Sequence, residues 1–358
     1  MKKKILFIAP HRLGRNPCQR FRFEQFLSFF ESNGFETKLS SIVTKSQDEF
    51  FYLQGHYFKK FIVLLKGAIK RFADIKKVKN SDIVFVQREA FMTSSIFFEK
   101  QFKKTDTKFI FDFDDAIWLP NVSEANKNLK WLKDSAKTSK IIQLADTVIA
   151  GNHYLADYAK QFNPNVFIIP TTVETNASYK KNKNKTICIG WSGSTSTIKH
   201  FELAIPTLLA IKEKFGDLIK FKVIGQHNYH HPKLNFQFVN WSAENEIMEL
   251  EEIDIGIMPL PDDEWAKGKC GLKGLQFMAL EIPVVMADVG VNKSIIQDGV
   301  NGFLAKNESE WVDKISALVE SESLRNKMGT LGRNTVLQNY SVDSQKQAYL
   351  DVFNHVLK

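Results

Sequence analysis

The chain has 358 residues, of which 44% are hydrophobic and 25% charged, with a formal net charge of +9. That length is too great for one ordinary domain and fits two domains with separate cores, and the composition is that of a globular protein rather than a fibrous or disordered one. No run approaches the ~18 consecutive apolar residues of a membrane-spanning helix, and Cys18, Cys188 and Cys270 form neither a disulfide framework nor a C-x-x-C pair, which favours a reducing cytosol.

Met1-Lys-Lys-Lys leads into Ile5–Ala9. The apolar run is too short for a signal peptide and no small-residue cleavage site follows, so it reads as a first buried strand. The loop behind it, APHRLGRNPCQRFR, holds His11, Arg12, Gly14, Arg15, Arg20 and Arg22. Gly14 permits a tight turn, and the arginines suit bidentate anion clamps. A solvated basic loop is the plain alternative for any one of them. His11 is a candidate base or a structural histidine.

Tyr57 to Lys79 reads as one helix. Phe58, Phe61, Ile62, Leu65, Ile69 and Phe72 share a face, and eight basic residues stand against one acid, Asp74. Two readings are open: a basic amphipathic helix lying on an anionic membrane surface, or a domain helix with its apolar stripe in the core and its basic face in solvent. The net charge has no RNA-binding or zinc-finger signature behind it, so nucleic acid is not the expected partner.

Short runs rich in Val, Ile and Phe recur at Lys4–Ala9, Asp82–Gln87, Phe109–Asp112, Asp146–Ala150 and Asn165–Ile169. They recur again at Thr186–Gly190, Phe221–Gly225, Asn235–Phe238, Ile253–Met258 and Pro283–Ala287. Such runs suit strands buried on both faces, and their alternation with helical patterns implies two doubly wound parallel sheets. The polar stretch TNASYKKNKNKT, Thr175 to Thr186, is the expected linker.

Several stretches are placed for chemistry, because ligands of open parallel sheets bind beyond the carboxyl ends of strands. In QREAF, Arg88 and Glu89 follow a strand. In KFIFDFDDAIWLP, Asp112, Asp114 and Asp115 end one. In TICIGWSGSTSTIKHFELAI, Gly193, Ser194 and the hydroxyl residues after them form a turn before Lys199 opens a helix. In WAKGKCGLKGLQFMALEIPVV, Gly268, Gly271 and Gly274 bracket a helix start at Leu272 beside Lys267, Lys269 and Lys273. Small residues and helix N–H groups favour an anion at both places, and two such cradles suit a diphosphate. Neither matches a Walker loop or a dinucleotide fingerprint.

The run IDIGIMPLPDDEW…CGLKGLQFMALEIPVVMADVGVNKSIIQDGVNGFL resembles the donor half of family 4 (group 1) glycosyltransferases, which have the GT-B fold. The matches are Leu275 to Val285, Val289-Gly290 and Asp298 to Phe303. The likeness extends to Pro170, Val173 and Glu174 between the domains and to the C-terminal stretch NYSVDSQKQAYLDVFNHVLK. The resemblance implies residues 1–174 as an acceptor-binding domain, 186–340 as a nucleotide-sugar-binding domain facing it across a cleft, and 341–358 as a helix crossing back. It implies a retaining transfer of sugar from a nucleotide-diphosphate sugar to a carbohydrate or lipid-linked acceptor. Surface polysaccharide or cell-envelope glycan synthesis would be the setting, in the cytoplasm or on the inner face of its membrane, with no metal and no cofactor. By the same resemblance the donor is held by Lys199, Gly271, Leu272 and Gln276; the two anion cradles add Gly193, Ser194, Lys267, Lys269 and Lys273 to it, and the loops past the first-half strands offer Arg12, Gly14, Arg15 and Arg88 for the acceptor. The family's Glu-x7-Glu motif is degenerate here, with Gly268 and Gln276 at its two positions. Gln276 can still bond a ribose hydroxyl. Gly268 cannot replace a carboxylate, although Asp262, Asp263, Glu264 or Lys267 stand near. Trp191 occupies the turn where the family often has an arginine.

For the aspartates, four roles are open. Asp114 or Asp115 orients or deprotonates the acceptor hydroxyl, with Lys199 supporting the departing diphosphate. Asp112-x-Asp114 binds a divalent cation. The pair serves a magnesium-dependent phosphatase, although Asp115-Ala116 does not match that family's continuation. The cluster is structural. A non-catalytic sugar-nucleotide binder is a further reading, prompted by Gly268.

Overall fold

The computed structural model describes residues 2–119, 134–175, 186–194, 197–225 and 229–358. All but the ends of the expected linker, and Thr195 and Ser196 of the first glycine turn, lie outside the described residues. The chain divides into two compact units, Met1–Thr171 with Gln345–Lys358, and Thr172–Ser344.

The first unit is built on six strands: β1 (Lys3–His11), β2 (Phe35–Val43), β3 (Ile83–Gln87), β4 (Lys108–Phe113), β5 (Thr147–Ala150) and β6 (Val166–Ile168). They pair in parallel in the order β2-β1-β3-β4-β5-β6. The central strands β3 and β5 are buried at every residue, which is why they show as unbroken apolar runs in the sequence. β2 is an edge strand with partly exposed Glu36 to Lys38, so its sequence FETKLSSIV gives no such run and went unread. Phenylalanines fill the layer above: Phe7 stacks on Phe23 at 4.6 Å and tilts against Phe85 at 5.0 Å. The C-terminal helix Val342–Val356 closes this core, with Tyr349 4.7 Å from Phe26 and Phe353 4.9 Å from Phe30. Each such ring contributes about 1.5–3 kcal/mol by leaving water.

The helix Tyr57–Lys79 forms as read but is turned the other way from the core-stripe expectation. Its packed side is Lys60, Val63, Gly67, Arg71, Asp74 and Val78. Gly67 lets the backbone close on the sheet, since a Cβ there would lie 2.7 Å from Ile42 Cγ2. Arg71 donates to Ala9 O at 2.9 Å, Ala90 O at 2.6 Å, Ser40 Oγ at 3.1 Å and Asp74 Oδ2 at 2.8 Å. A buried guanidinium satisfied this fully can occupy the interior. The apolar stripe is left outside.

The second unit repeats the architecture with β7 (Ile187–Ser192), β8 (Ile219–Gly225), β9 (Phe236–Asn240), β10 (Ile255–Met258), β11 (Val284–Ala287) and β12 (Phe303–Ala305), in the order β12-β11-β10-β7-β8-β9. All these pairs are parallel. The short edge strand β12 was also unread. The helix Leu272–Ala279 lies against β10 because Gly256 leaves room for Phe277, whose ring would be 2.5 Å from a Cβ there. Two doubly wound, Rossmann-like α/β units in one chain constitute the GT-B fold.

Chain order reverses beside β1 in the first sheet, between β1 and β3, and beside β7 in the second, between β7 and β10. At such switch points the loops diverge and leave a crevice at the carboxyl edge of the sheet.

Candidate functional site

At the switch point of the second unit, two glycine turns stand at the ends of β7 and beyond β10. Gly193 follows β7 with its N–H on Ile224 O at 3.0 Å, and a Cβ there would meet the Trp191 ring at 2.2 Å. Ser194 donates its N–H to Thr197 Oγ1 at 2.9 Å, which closes the turn, and Lys199 sits exposed in the short helix Ile198–Glu202. The Ser192 hydroxyl is buried with no partner among the described residues.

Beyond β10, Asp263 caps the short helix Glu264–Lys267 by accepting from Ala266 N at 2.7 Å. Gly271 then takes φ +71°, the left-handed region, and starts the helix Leu272–Ala279 with no side-chain cap and no acid in its first turn. That start is electropositive. A Cβ on Gly271 would lie 2.3 Å from Ile295 Cδ1, and one on Gly290 would lie 2.9 Å from Lys267 Cα. The two glycines thus let the loop 264–271 seat on the segment Val289–Ile295. Asn292, fully buried, donates to Ala287 O at 2.9 Å while its Oδ1 has no partner among the described residues. Sequence reading missed Asn292. The only signal was its place just after Val289-Gly290.

The lysines of this loop are engaged rather than free-standing. Lys267 pairs with Glu264 at 2.7 Å, Lys269 lies 4.6 Å from the centre of the Trp265 ring, and Lys273 donates to Gln276 Oε1 at 3.2 Å. Gln276 is buried. Asp263 as a helix cap and Glu264 in an ion pair have local structural roles, so neither stands in plainly for a carboxylate at Gly268. Gly268 has φ −75°, a backbone any residue adopts.

At the switch point of the first unit the expected residues separate into two kinds. Asp112 does not face a crevice: it is fully buried and bound by Arg22, with Nη2–Oδ1 at 2.5 Å and Nε–Oδ2 at 3.3 Å. Arg22 also donates to Ile169 O, and the Tyr349 hydroxyl donates to Arg22 O at 3.2 Å. Burial disfavours the Arg22 charge, but Asp112 outweighs it and raises the guanidinium above its ordinary value. Arg22 as an anion clamp and Asp112 as a nucleophile or cation ligand are both corrected here, because each carries the other's charge in the interior.

Asp114, partly buried, and Asp115, buried, turn instead to Arg88, whose Nη2 lies 2.8 Å from Asp114 Oδ1 and 3.6 Å from Asp115 Oδ2. Arg88 has φ +61°, uncommon for a residue with a side chain, and its N–H holds Asp112 O at 2.8 Å. Burial works against its charge, while Asp114, Cys18 and Asp115 raise it well above the ordinary arginine value. Glu89, next along, is spent on Lys137 at 2.6 Å.

Arg12 and Arg15 both reach Asp48 Oδ2 of the helix Lys45–Phe51, Arg15 at 2.9 Å. Gly14 has φ +74° and donates to Glu24 Oε2 at 2.7 Å. His11 is buried, with Nε2 2.9 Å from the Tyr52 hydroxyl and Nδ1 without a partner among the described residues. Burial, with Arg15, Arg12 and Arg88 against Asp48, lowers its pKa to about 4, so it is a neutral imidazole at pH 7. Asp48 and Tyr52, separated from His11 in the sequence, carried no motif.

Residues 185–321, inside the second unit, match the family model described as glycosyl transferases group 1. The poly(ribitol-phosphate) alpha-N-acetylglucosaminyltransferase of Staphylococcus aureus is 32% identical over 87 residues, 24% of this chain and 18% of that protein. The chain spans about a fifth of the length of the curated relatives it matches. Over the whole fold it is similar to a crystallised glycosyltransferase of Rickettsia africae, at TM-score 0.69 and 16% identity, covering 100% of this chain and 99% of the other. An Anabaena protein crystallised with UDP and glucose aligns at TM-score 0.65 and 13% identity, over 98% and 99% of the two chains. These whole-chain likenesses are to GT-B proteins and concern the fold. The family match falls on the unit that carries both glycine turns.

Proposed function

We propose that the protein is a retaining glycosyltransferase that moves a sugar from a nucleotide-diphosphate sugar to a carbohydrate or lipid-linked acceptor. Its setting is surface polysaccharide or cell-envelope glycan synthesis, in the cytoplasm or at the inner face of the cytoplasmic membrane, without metal or cofactor. One observation carries this reading: the two glycine-built turns at the β7/β10 switch point, inside the segment matched to group 1 glycosyl transferases.

Gly193, Ser194, Gly271 and Leu272 bring backbone close to the diphosphate, and Lys199, Lys267, Lys269 and Lys273 supply positive charge. Gln276 receives a ribose hydroxyl once Lys273 turns toward the phosphates. As the bond between the anomeric carbon and the diphosphate oxygen breaks, charge grows on the leaving group, and these groups stabilise it before it is lost to water. Asp114 or Asp115, aimed by Arg88, orients the acceptor hydroxyl or takes its proton. Arg12, Gly14 and Arg15 bound the acceptor, with the arginines exchanging Asp48 for it.

Binding of UDP is the direct test. Lys199→Ala should weaken UDP binding by about tenfold, the worth of one charge-assisted contact, in titration calorimetry. Unchanged affinity removes Lys199 from the donor site. Anomeric proton couplings of the product report retention, and an inverted centre overturns the mechanism. Gly268 favours a second reading, a sugar-nucleotide binder that does not turn over. Tight UDP-sugar binding with no transfer to any glycan acceptor would establish it.

A further inference from the structure

The outward face of the helix Tyr57–Lys79 points to a second surface with its own partner. Along this helix Phe58 is 75% exposed, Phe61 60%, Leu65 52%, Ile69 63% and Phe72 55%. The crest runs from Phe58 to Phe72, about 21 Å at the helical rise. Phe97, 43% exposed, extends it sideways by packing on Phe72 with ring centres 5.7 Å apart. A contiguous apolar strip of this kind marks an interaction site. The helix did not need to expose it, since the opposite side is committed to the interior through Arg71, Asp74 and Gly67.

Charge selects the partner. Lys59, Lys66, Lys70 and Lys77 recur at helical spacing along one flank of the crest, all exposed, and Lys100 stands exposed on the neighbouring helix Phe97–Lys103. The helix presents no exposed acid: its one carboxylate, Asp74, is buried under Arg71 at 2.8 Å and Lys77 at 2.7 Å. An isologous contact with a second copy would set these lysine rows near each other, which opposes self-association. An anionic lipid surface answers both features at once, taking the rings a few ångströms into the interface and the ammonium groups at the headgroups.

We propose that the first unit docks on an anionic bilayer through Phe58, Phe61, Leu65, Ile69 and Phe72, with Lys59, Lys66 and Lys70 on the headgroups. The surface goes beyond the glycosyl-transfer reading and does not rest on it, because lipid binding is measured with neither donor nor acceptor.

The test is co-sedimentation of the full chain with vesicles of phosphatidylglycerol and phosphatidylcholine in about equal amounts, against vesicles of phosphatidylcholine alone. The protein should bind the anionic vesicles, and binding should fall steeply as salt is raised. Lys59→Glu/Lys66→Glu/Lys70→Glu and Phe58→Ser/Phe61→Ser/Ile69→Ser should each lower the partition coefficient by about tenfold or more. Their thermal melts should stay intact, because every substituted side chain is exposed. Lys233→Glu/Lys327→Glu, on the second unit, should bind as the unaltered protein does. Absence of binding to anionic vesicles, or binding by either helix variant equal to that of the unaltered protein, overturns the proposal. So does light scattering that shows a dimer which the serine variant dissociates, since the occupant would then be a second copy.

Discussion

Gly271 joins a backbone requirement to the proposed donor-site role in one residue. Its φ of +71° and the 2.3 Å approach of Ile295 Cδ1 leave no room for a methyl group. Gly271→Ala should cost about 1–3 kcal/mol in urea unfolding and, on the proposed function, weaken UDP binding together, since the turn that strains is the turn proposed to hold the diphosphate. Arg22 and Asp112 make a different argument. Removing one partner leaves an uncompensated charge in the interior, so Arg22→Met should destabilise the fold by about 3–5 kcal/mol, and adding Asp112→Leu should recover much of that loss. A catalytic role for Asp112 predicts the opposite, full stability with lost turnover. His11 gives a pH dependence. The unfolded chain takes up its proton near the ordinary value of 6.5 and the folded chain only near 4. The folded state therefore loses stability as pH falls through that window, by at most about 1.4 kcal/mol per unit, and is unaffected by this group above it. Unfolding free energies across that range should show the slope, and His11→Asn should remove His11's part of it.

Helices and strands show where pattern reading reaches its limit. β3 and β5 are legible because a strand buried on both faces must be apolar throughout. β2 is not, because an edge strand needs only part of its surface covered, and alternation over Phe35–Val43 is mixed. In the helix Tyr57–Lys79 the periodicity located the element and its stripe correctly, yet the side turned inward is a mixed one that carries Arg71 and Asp74. Periodicity states that two faces differ. It does not state which one the sheet receives, because a buried arginine with five hydrogen bonds competes with a phenylalanine. The helix Glu322–Asn339 depends on a similarly local fit: a Cβ on Gly329 would lie 1.9 Å from Glu281 O. Gly329→Ala must therefore shift the helix away from the end of Leu272–Ala279. A loss of about 1–3 kcal/mol in thermal unfolding is expected, despite the better helix propensity of alanine.

The two units differ in how the chain completes them. Residues Thr172–Ser344 form the second without interruption, whereas the first takes Gln345–Lys358 from the far end of the chain. Tyr349 and Phe353 are fully buried there among Phe26, Phe30 and Phe35. A chain ending at Ser344 should keep a cooperative calorimetric transition for the second unit and lose or lower that of the first. A uniform shift of both would contradict this division.

Local composition determined the repeated strand–helix alternation and the two glycine turns with their lysines. Those features are written in neighbouring residues, and each turn holds a glycine where a Cβ would clash, Gly193 with the Trp191 ring and Gly271, at φ +71°, with Ile295. The likeness to group 1 glycosyl transferases rests on the same contiguous stretch. Long-range contacts assigned the charged groups. Arg22 and Asp112, ninety positions apart, neutralise each other in the core, while Arg88 gathers Asp114 and Asp115 at the sheet edge. No spacing rule distinguishes these two arginines, because burial is a property of the packed chain rather than of the residue.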